Sequence, residues 1–392
     1  MNSDAGVARH TAFPRERSNA MDLPPASMRG DVDGLGFTLL QLPLESFNQR
    51  RVCDEVAARR ADKPAWRSFA ATGELPPARP ELKRLFRKGV PPELRPAAWL
   101  AVSSAPLQPG LYESLLSAPP AASADDEASA RQIELDVPRT FSEHAWLRSE
   151  AARCRLRRLL TALARDSDAG YCQGWNFVVA FFMLVFKAEG DGGEAPLFAL
   201  ARHTLRALVP PDLYGVDLRG LSAELRVLTS LLASKVPRVA AAIRVADGDA
   251  ALFATDWFLC LFVTSLPADT AARVLDAFFC EGSKVLLRVA LVLAHRAEPE
   301  LAADGGFAPR SSLGSLGFRP RASAGGVPEL AAALRHAASS CHDRDALMAA
   351  AFSPVAVGSM PSARLARLRA AAREEVDAER RERDALRKSP SR

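Results

Sequence analysis

The sequence predicts an all-α fold. Apolar residues recur at helical spacing through the middle of the chain, and no convincing stretch alternates with period two. Alanine, the residue with the best intrinsic helix propensity, is abundant, while aromatics make up only 7% of the 392 residues. The 28 prolines fall mostly between apolar segments and in the flanks, where they punctuate helices rather than break them.

Residues 1 to about 30 are polar and without period, the composition of a disordered segment. Residues 31–80 carry Leu35, Phe37, Leu39, Leu40, Trp66 and Phe69, enough apolar surface for an extended arm or a short helix docked on the main domain. Pro76, Pro77 and Pro80 then mark the approach to a helical region over 81–300. Pro91 and Pro92 suit the first turn of a helix that runs through Trp99. Residues 117–130 read as a loop. Residues 145–166 form an amphipathic helix with Ala152, Leu156, Leu159, Leu160 and Leu163 on one face. Gly170 ends it, and a helix apolar on all sides, hence buried, runs from about Gln173 to Phe186. A surface turn follows at 189–194. Further helices are expected near 195–208, 218–233, 255–265, 268–280 and 283–297. Residues 303–327, rich in Gly, Ser and Pro, read as a linker. The segment 361–388 reads as a charged helical tail whose Leu365, Leu368, Val376 and Leu386 are too sparse for a strong coiled-coil seam. Composition thus divides the chain into an N-terminal arm (1–79), a helical domain (80–300), a linker (301–330) and a C-terminal helical segment with its tail (331–392).

Several function classes fall away. The net charge of +5 and pI near 9.0 are mild, and the arginines are interleaved with acids. No basic block with interleaved aromatics points to nucleic acid. None of the six cysteines (Cys53, Cys154, Cys172, Cys260, Cys280, Cys341) forms a C-x-x-C pair, so neither a disulfide framework nor a zinc site is expected, and a reducing compartment such as the cytosol is. The longest strongly apolar run, Phe177–Phe186, is about half the ~20 residues a membrane span needs. The histidines (His10, His144, His203, His295, His336, His342) are scattered without metal spacing, and no Walker A, G-x-S-x-G or G-x-G-x-x-G occurs.

Two short polar motifs stand out against this background: Ile133-Glu134-Leu135-Asp136-Val137-Pro138-Arg139-Thr140-Phe141 and Tyr171-Cys172-Gln173-Gly174. One presents an arginine and the other a glutamine, the two side chains GTP hydrolysis needs most. The first neutralises charge on the transferring phosphoryl group, and the second orients the attacking water. A chain with both and no nucleotide motif of its own is suited to completing the active site of a partner. Arg139 offers a planar, permanently charged donor fork, Asp136 stands three residues before it as its anchor, and Pro138 stiffens the backbone between them. The amide of Gln173 both donates and accepts, and Gly170 and Gly174 let the backbone there come close to a partner.

With Arg87-Lys88-Gly89-Val90-Pro91-Pro92-Glu93-Leu94-Arg95-Pro96-Ala97-Ala98-Trp99 upstream, these motifs resemble, in order, the landmarks of the TBC-domain family, the activators of Rab GTPases. Weaker similarity continues through Asp256–Phe262, Leu266-Pro267 and Leu275–Gly282, so the resemblance covers roughly 80–300. It implies two helical lobes forming a shallow V and an arginine finger and a glutamine finger, Arg139 and Gln173, lining the groove. Asp136, Tyr171, Gly174 and Thr140 support them, with Phe141 fixing the loop beside Thr140, and Arg95 and Trp99 serve as structural anchors. The implied activity is stimulation of GTP hydrolysis by a Rab-family small GTPase in trans, in vesicle traffic. The chain is then a GTPase activator rather than an enzyme in its own right and needs no cofactor, since GTP and Mg²⁺ belong to the partner. The resemblance places it in the cytoplasm or peripheral to endomembranes, with membrane contact only through its partner. Trp175 departs from the family, which has a smaller aliphatic residue or Met there, and bears on partner selectivity or on core filling. Alternatives of other classes are a catalytically silent TBC scaffold and a helical adaptor working through its charged tail.

Overall fold

A computed structural model of the chain describes residues 32–37, 52–57, 63–119, 124–186, 193–215, 217–303 and 327–388. The readings made above for residues 1–30, for most of the turn at 189–194 and for the linker at 303–327 lie outside them. Among the described residues the secondary structure is helical, with no β-strand beyond one bridge position at Val32.

After a helical stretch at 52–57, two longer helices lead in. α1 (Pro64–Thr72) and α2 (Arg79–Lys88) each start on a proline in the first turn, where the missing N–H costs nothing. Trp66 and Phe69 of α1 meet Leu85, Phe86, Val90 and Ala98 in a small core of their own. A 3-10 turn at Pro92–Leu94 opens α3 (Arg95–Ser103), then come α4 (Leu111–Ser117), α5 (Ala124–Asp136), α6 (Glu150–Asp166), α7 (Trp175–Phe186) and α8 (Glu194–His203). These form the first helical group: α6 lies against α4, α5, α7 and α8, and α3 against α7 and α8. The expected apolar face of α6 is buried as a block, and Ser149 caps its start by accepting from the Ala152 N–H at 3.2 Å. α7 buries every residue from Val178 to Val185, as its all-round apolar sequence demands.

The second group holds α9 (Arg219–Lys235), α10 (Pro237–Val245), α11 (Ala251–Leu259), α12 (Ala268–Glu281), α13 (Lys284–Ala303), α14 (Val327–Ser339), α15 (Arg344–Phe352) and α16 (Ser362–Lys388). α13 touches α9, α10, α11, α12, α14 and α15. α12, buried from Thr270 through Cys280, spans the junction of the groups, lying against α2 and α3 as well as α13 and α15. Packing crosses both boundaries that composition suggests, since Trp66 and Phe69 are buried upstream and Leu330, Leu334, Leu347, Met348, Leu365 and Val376 downstream.

Two local expectations are corrected. Residues 124–130, read as loop, are the first turns of α5, where Asp125, Asp126 and Glu127 face the positive end of the helix dipole and alanines supply the propensity. The helix expected over 255–265 stops at Leu259. Leu261 (φ 48) and Phe262 (φ 65) turn left-handed, and the apolar run is buried as a tight turn in which the Phe262 N–H donates to the Trp257 carbonyl at 2.9 Å.

Candidate functional site

Arg139 sits where α5 ends. The helix tightens into a 3-10 turn at Val137–Arg139, anchored by buried Val137 and rigidified by Pro138. Asp136, with no solvent exposure, is the hub beneath it. Its Oδ1 accepts from Gln132 Nε2 at 2.9 Å and pairs with the Arg139 guanidinium, and its Oδ2 lies 2.8 Å from the Tyr171 hydroxyl. The Arg139 side chain is nonetheless 50% exposed. One end of the guanidinium is held, and the rest of its five N–H donors face outward.

Tyr171 belongs to the second motif, so its bond to Asp136 joins the two. Burial, and then the Asp136 charge, push the Tyr171 phenol well above its usual range, so it stays a donor. It has one proton to give. Asp136 Oδ2 is nearer and charged, and Asn176 Oδ1 stands at 3.1 Å. Asn176, wholly buried at the start of α7, makes a second join. Its Nδ2 donates to Thr140 Oγ1 at 2.8 Å, and its Oδ1 accepts from the Gly174 N–H at 3.1 Å. Thr140 Oγ1 in turn donates to the Asp136 carbonyl at 2.7 Å. A third join runs from α5, where Ser129 Oγ accepts from the Tyr171 N–H at 3.1 Å.

Gln173 occupies the turn immediately before α7 and is half-buried, and its side chain makes no hydrogen bond to any described residue. The turn requires glycine at 174: its φ is +110°, and a Cβ there would meet the Leu259 carbonyl at 3.4 Å. That carbonyl, at the end of α11, also accepts from the Tyr214 hydroxyl at 2.8 Å. The glutamine turn therefore rests on the second helical group. Burial, then Asp136, push the neighbouring Cys172 thiol up to about 12.

Trp175 is core. It is 4% exposed, edge-on to Tyr171 (6.1 Å between centroids) and Tyr214 (5.8 Å), and its Nε1 finds no partner among the described residues. Arg95 and Trp99 do not join the cluster. They close around Asp276 of α12, Arg95 Nε at 3.0 Å and Trp99 Nε1 at 2.9 Å from Oδ1, tying α3 to α12. The structure thus gathers Asp136, Arg139, Thr140, Tyr171, Gln173 and Gly174 in one place. Sequence reasoning missed Gln132, Ser129 and the bridging part of Asn176. Once α5 is known to run through 124–136, the i, i+4 spacing of Gln132 and Asp136 is a visible signal for the first.

The Rab-GTPase-TBC domain model matches residues 92–302. The chain belongs to that family. Human TBC1 domain family member 2A is 36% identical over 247 residues, 61% of this chain and 26% of that protein. Human growth hormone-regulated TBC protein 1 is 35% identical over 243 residues, 60% of this chain and 68% of that protein. The TBC domain here thus corresponds to about a quarter of the first relative's length. The crystal structure of the Chlamydomonas flagellar RabGAP TBC domain superimposes with a TM-score of 0.67 at 31% identity, covering 82% of this chain and all of that one. The Ypt/Rab-GAP domain of Gyp1p shares the fold, with a TM-score of 0.57 at 17% identity over 78% of this chain and 97% of that one. No described helix of this TBC domain is long and apolar enough to cross a membrane.

Proposed function

We propose that this chain stimulates GTP hydrolysis by a Rab-family small GTPase, inserting Arg139 and Gln173 into the partner's active site. The observation that carries this reading is an asymmetry of partners. Asp136, Thr140, Tyr171 and Asn176 are buried and hydrogen-bonded to one another, while Arg139 is half exposed on a wholly buried carboxylate and Gln173 has no bond to any described residue. A structural arginine or glutamine at the centre of such a network would be satisfied by it.

In the proposed complex the Rab holds GTP and Mg²⁺. Arg139 uses its outward N–H groups to offset charge on the γ-phosphate and leaving oxygens, and Gln173 orients the attacking water. If the guanidinium swings off Asp136, that carboxylate loses its countercharge to the phosphates but keeps Gln132 and Tyr171 as hydrogen-bond donors that hold it in place. Leu135, 65% exposed one residue before Asp136, offers apolar contact to the GTPase beside the arginine. The setting is cytoplasmic vesicle traffic, any membrane being reached through the partner.

The test is single-turnover GTP hydrolysis by a panel of Rabs with wild-type protein, Arg139→Ala and Gln173→Ala. Acceleration of one or a few Rabs, reduced about 10³- to 10⁵-fold by Arg139→Ala, is the expected result. Binding of a Rab without acceleration across a broad panel would make the chain a scaffold.

A further inference from the structure

Five residues far upstream of the matched domain, Asp33-Gly34-Leu35-Gly36-Phe37, lie against the turn that carries Arg139. They form a closed loop. Asp33 Oδ1 accepts from the Leu35 N–H at 2.9 Å and the Phe37 N–H at 3.0 Å, and the Asp33 N–H donates to the Phe37 carbonyl at 2.9 Å. Two contacts fasten the loop to the arginine turn. His144 Nε2, as the N–H tautomer, donates to the Leu35 carbonyl at 2.9 Å, while its Nδ1 accepts from the Leu147 N–H at 3.4 Å. The Phe37 ring stands edge-on to Phe141 (5.1 Å) and to His144 (4.8 Å). Gly36 is required for this approach: its φ is +88°, and a Cβ would sit 2.9 Å from His144 Nε2.

Phe141 is the residue that needs holding. Two positions after Arg139, it has φ +42, a left-handed conformation that strains a non-glycine residue and persists only where surroundings impose it. Phe37 lies on it, and so does Phe177 of α7, at 5.2 Å. Phe177 follows Gln173 by one turn of chain. A line of rings, Phe37 to Phe141 to Phe177, therefore runs from the upstream loop past the arginine turn to the helix behind the glutamine.

We propose that residues 33–37 are a positioning strap: they hold the Phe141 turn, and through it set the direction of Arg139 and its register against Gln173. The proposed activator then extends upstream of residues 92–302, which the family model matches. This inference rests on the Rab-activating reading for its kinetic consequence, and on geometry alone for its structural one.

Both are tested on the full chain with Phe37→Ala, the ring-keeping Phe37→Tyr, and Gly36→Ala, which forces the strap off His144 without touching the core. Hydrogen exchange at the Thr140, His144 and Leu147 amides is expected to rise locally in Phe37→Ala and Gly36→Ala and to stay at wild-type level in Phe37→Tyr. The hydrolysis rate at saturating Rab is expected to fall roughly ten- to a hundredfold in the first two, with the half-saturating concentration unchanged, as for a misplaced catalytic group. Unchanged exchange at those amides in both variants overturns the strap whether or not any Rab is activated. So does a rise in exchange throughout the protein, which makes Phe37 an ordinary core residue. If wild type activates no Rab, the functional reading fails while the exchange result still decides the strap. If it activates and the variants match it in rate, only the strap fails.

Discussion

Asp136 accepts from three donors: Tyr171 is buried, Gln132 partly buried and Arg139 exposed. Gln132 and Tyr171 fix the carboxylate so that the third, Arg139, is aimed outward from a rigid base. Asn176 does the corresponding work between turns, with one side-chain atom on Thr140 and the other on the Gly174 N–H. Its replacement should therefore act on both proposed fingers, Arg139 and Gln173, at once. Asn176→Ala leaves the buried Gly174 amide without its partner, at about 1–3 kcal/mol, and takes from Thr140 Oγ1 its donor while leaving that hydroxyl its bond to the Asp136 carbonyl. The expected outcome is a lower urea midpoint together with loss of Rab stimulation that a stability loss alone does not explain. The check is activity well below the unfolding midpoint, and activity equal to wild type there would show that the bridge does not position the fingers. At this scale the polar motifs were legible because Asp, Arg, Tyr and Gln at fixed spacing are rare in an apolar helical sequence. Asn176 was less so. One amide at the head of an apolar helix gives no sign of what it bridges until two turns distant in sequence are brought together.

Elements were legible wherever the apolar period was strong, as in α6, where the face read from Ala152 to Leu163 is the buried one. They were misread where the period was weak. The start of α5 has little apolar content, so it looked like loop, and that hid the position of Ser129 and Gln132 on one helix with Asp136. The Leu259–Val263 run is apolar without a break, so periodicity could not separate helix from buried turn. The first helical group also depends on one carboxylate. Glu194 at the start of α8 lies between Arg155 (3.0 Å) and Arg158 of α6 and Tyr112 of α4 (2.5 Å). Burial by itself would raise its pKa, but the donors Arg158, Tyr112 and Arg155 together hold it below the usual range. A depressed folded pKa means that the stability is present above the unfolded value and is lost as pH falls through the folded one. Glu194→Gln should thus cost at least about 1.5–3 kcal/mol at neutral pH, the worth of a hydrogen bond to a charged group. It should also flatten the decline in stability below the ordinary glutamate range. Urea midpoints of both proteins from neutral to acidic pH measure this, and parallel pH profiles would count against it.

At the scale of the molecule, the charged C-terminal segment is a clasp. α16 lies along α9, burying Leu365, Ala372 and Val376. These residues are too few to hold a helix this long, which is why the sequence read as a tail, and arginine pairs supply the rest. Arg369 forks onto Glu224 at 2.8 and 2.5 Å, Arg226 reaches Glu375 (3.4 Å) and Glu379 (2.5 Å), and Arg219 and Arg380 pair with Asp377 and Asp217. Such pairing across elements distant in sequence has no local signature. Glu224 is 1% exposed, so Arg369→Ala leaves a buried charge uncompensated and should cost about 3–5 kcal/mol. Adding Glu224→Gln should restore part of it, and a double variant as unstable as the single one would argue against the clasp. A depression of about 1020 Å³ lies between α9, α10 and α16, lined by Leu225, Arg226, Ile243, Arg244, Val376 and Arg383 among others. Neither Arg139 nor Gln173 lines it, and the proposed activity needs no pocket in this chain, because the nucleotide is the partner's.

That division of labour is tested most directly by removing the partner's own water-orienting glutamine. Single-turnover GTP hydrolysis is measured for a responsive Rab in which that glutamine is replaced by leucine, with wild-type activator beside Gln173→Ala and Arg139→Ala. If both fingers come from this chain, wild type still accelerates the altered Rab, and each of the two variants fails to. If the altered Rab no longer responds while Gln173→Ala still activates the unaltered one, the glutamine is the partner's and the two-finger account is wrong.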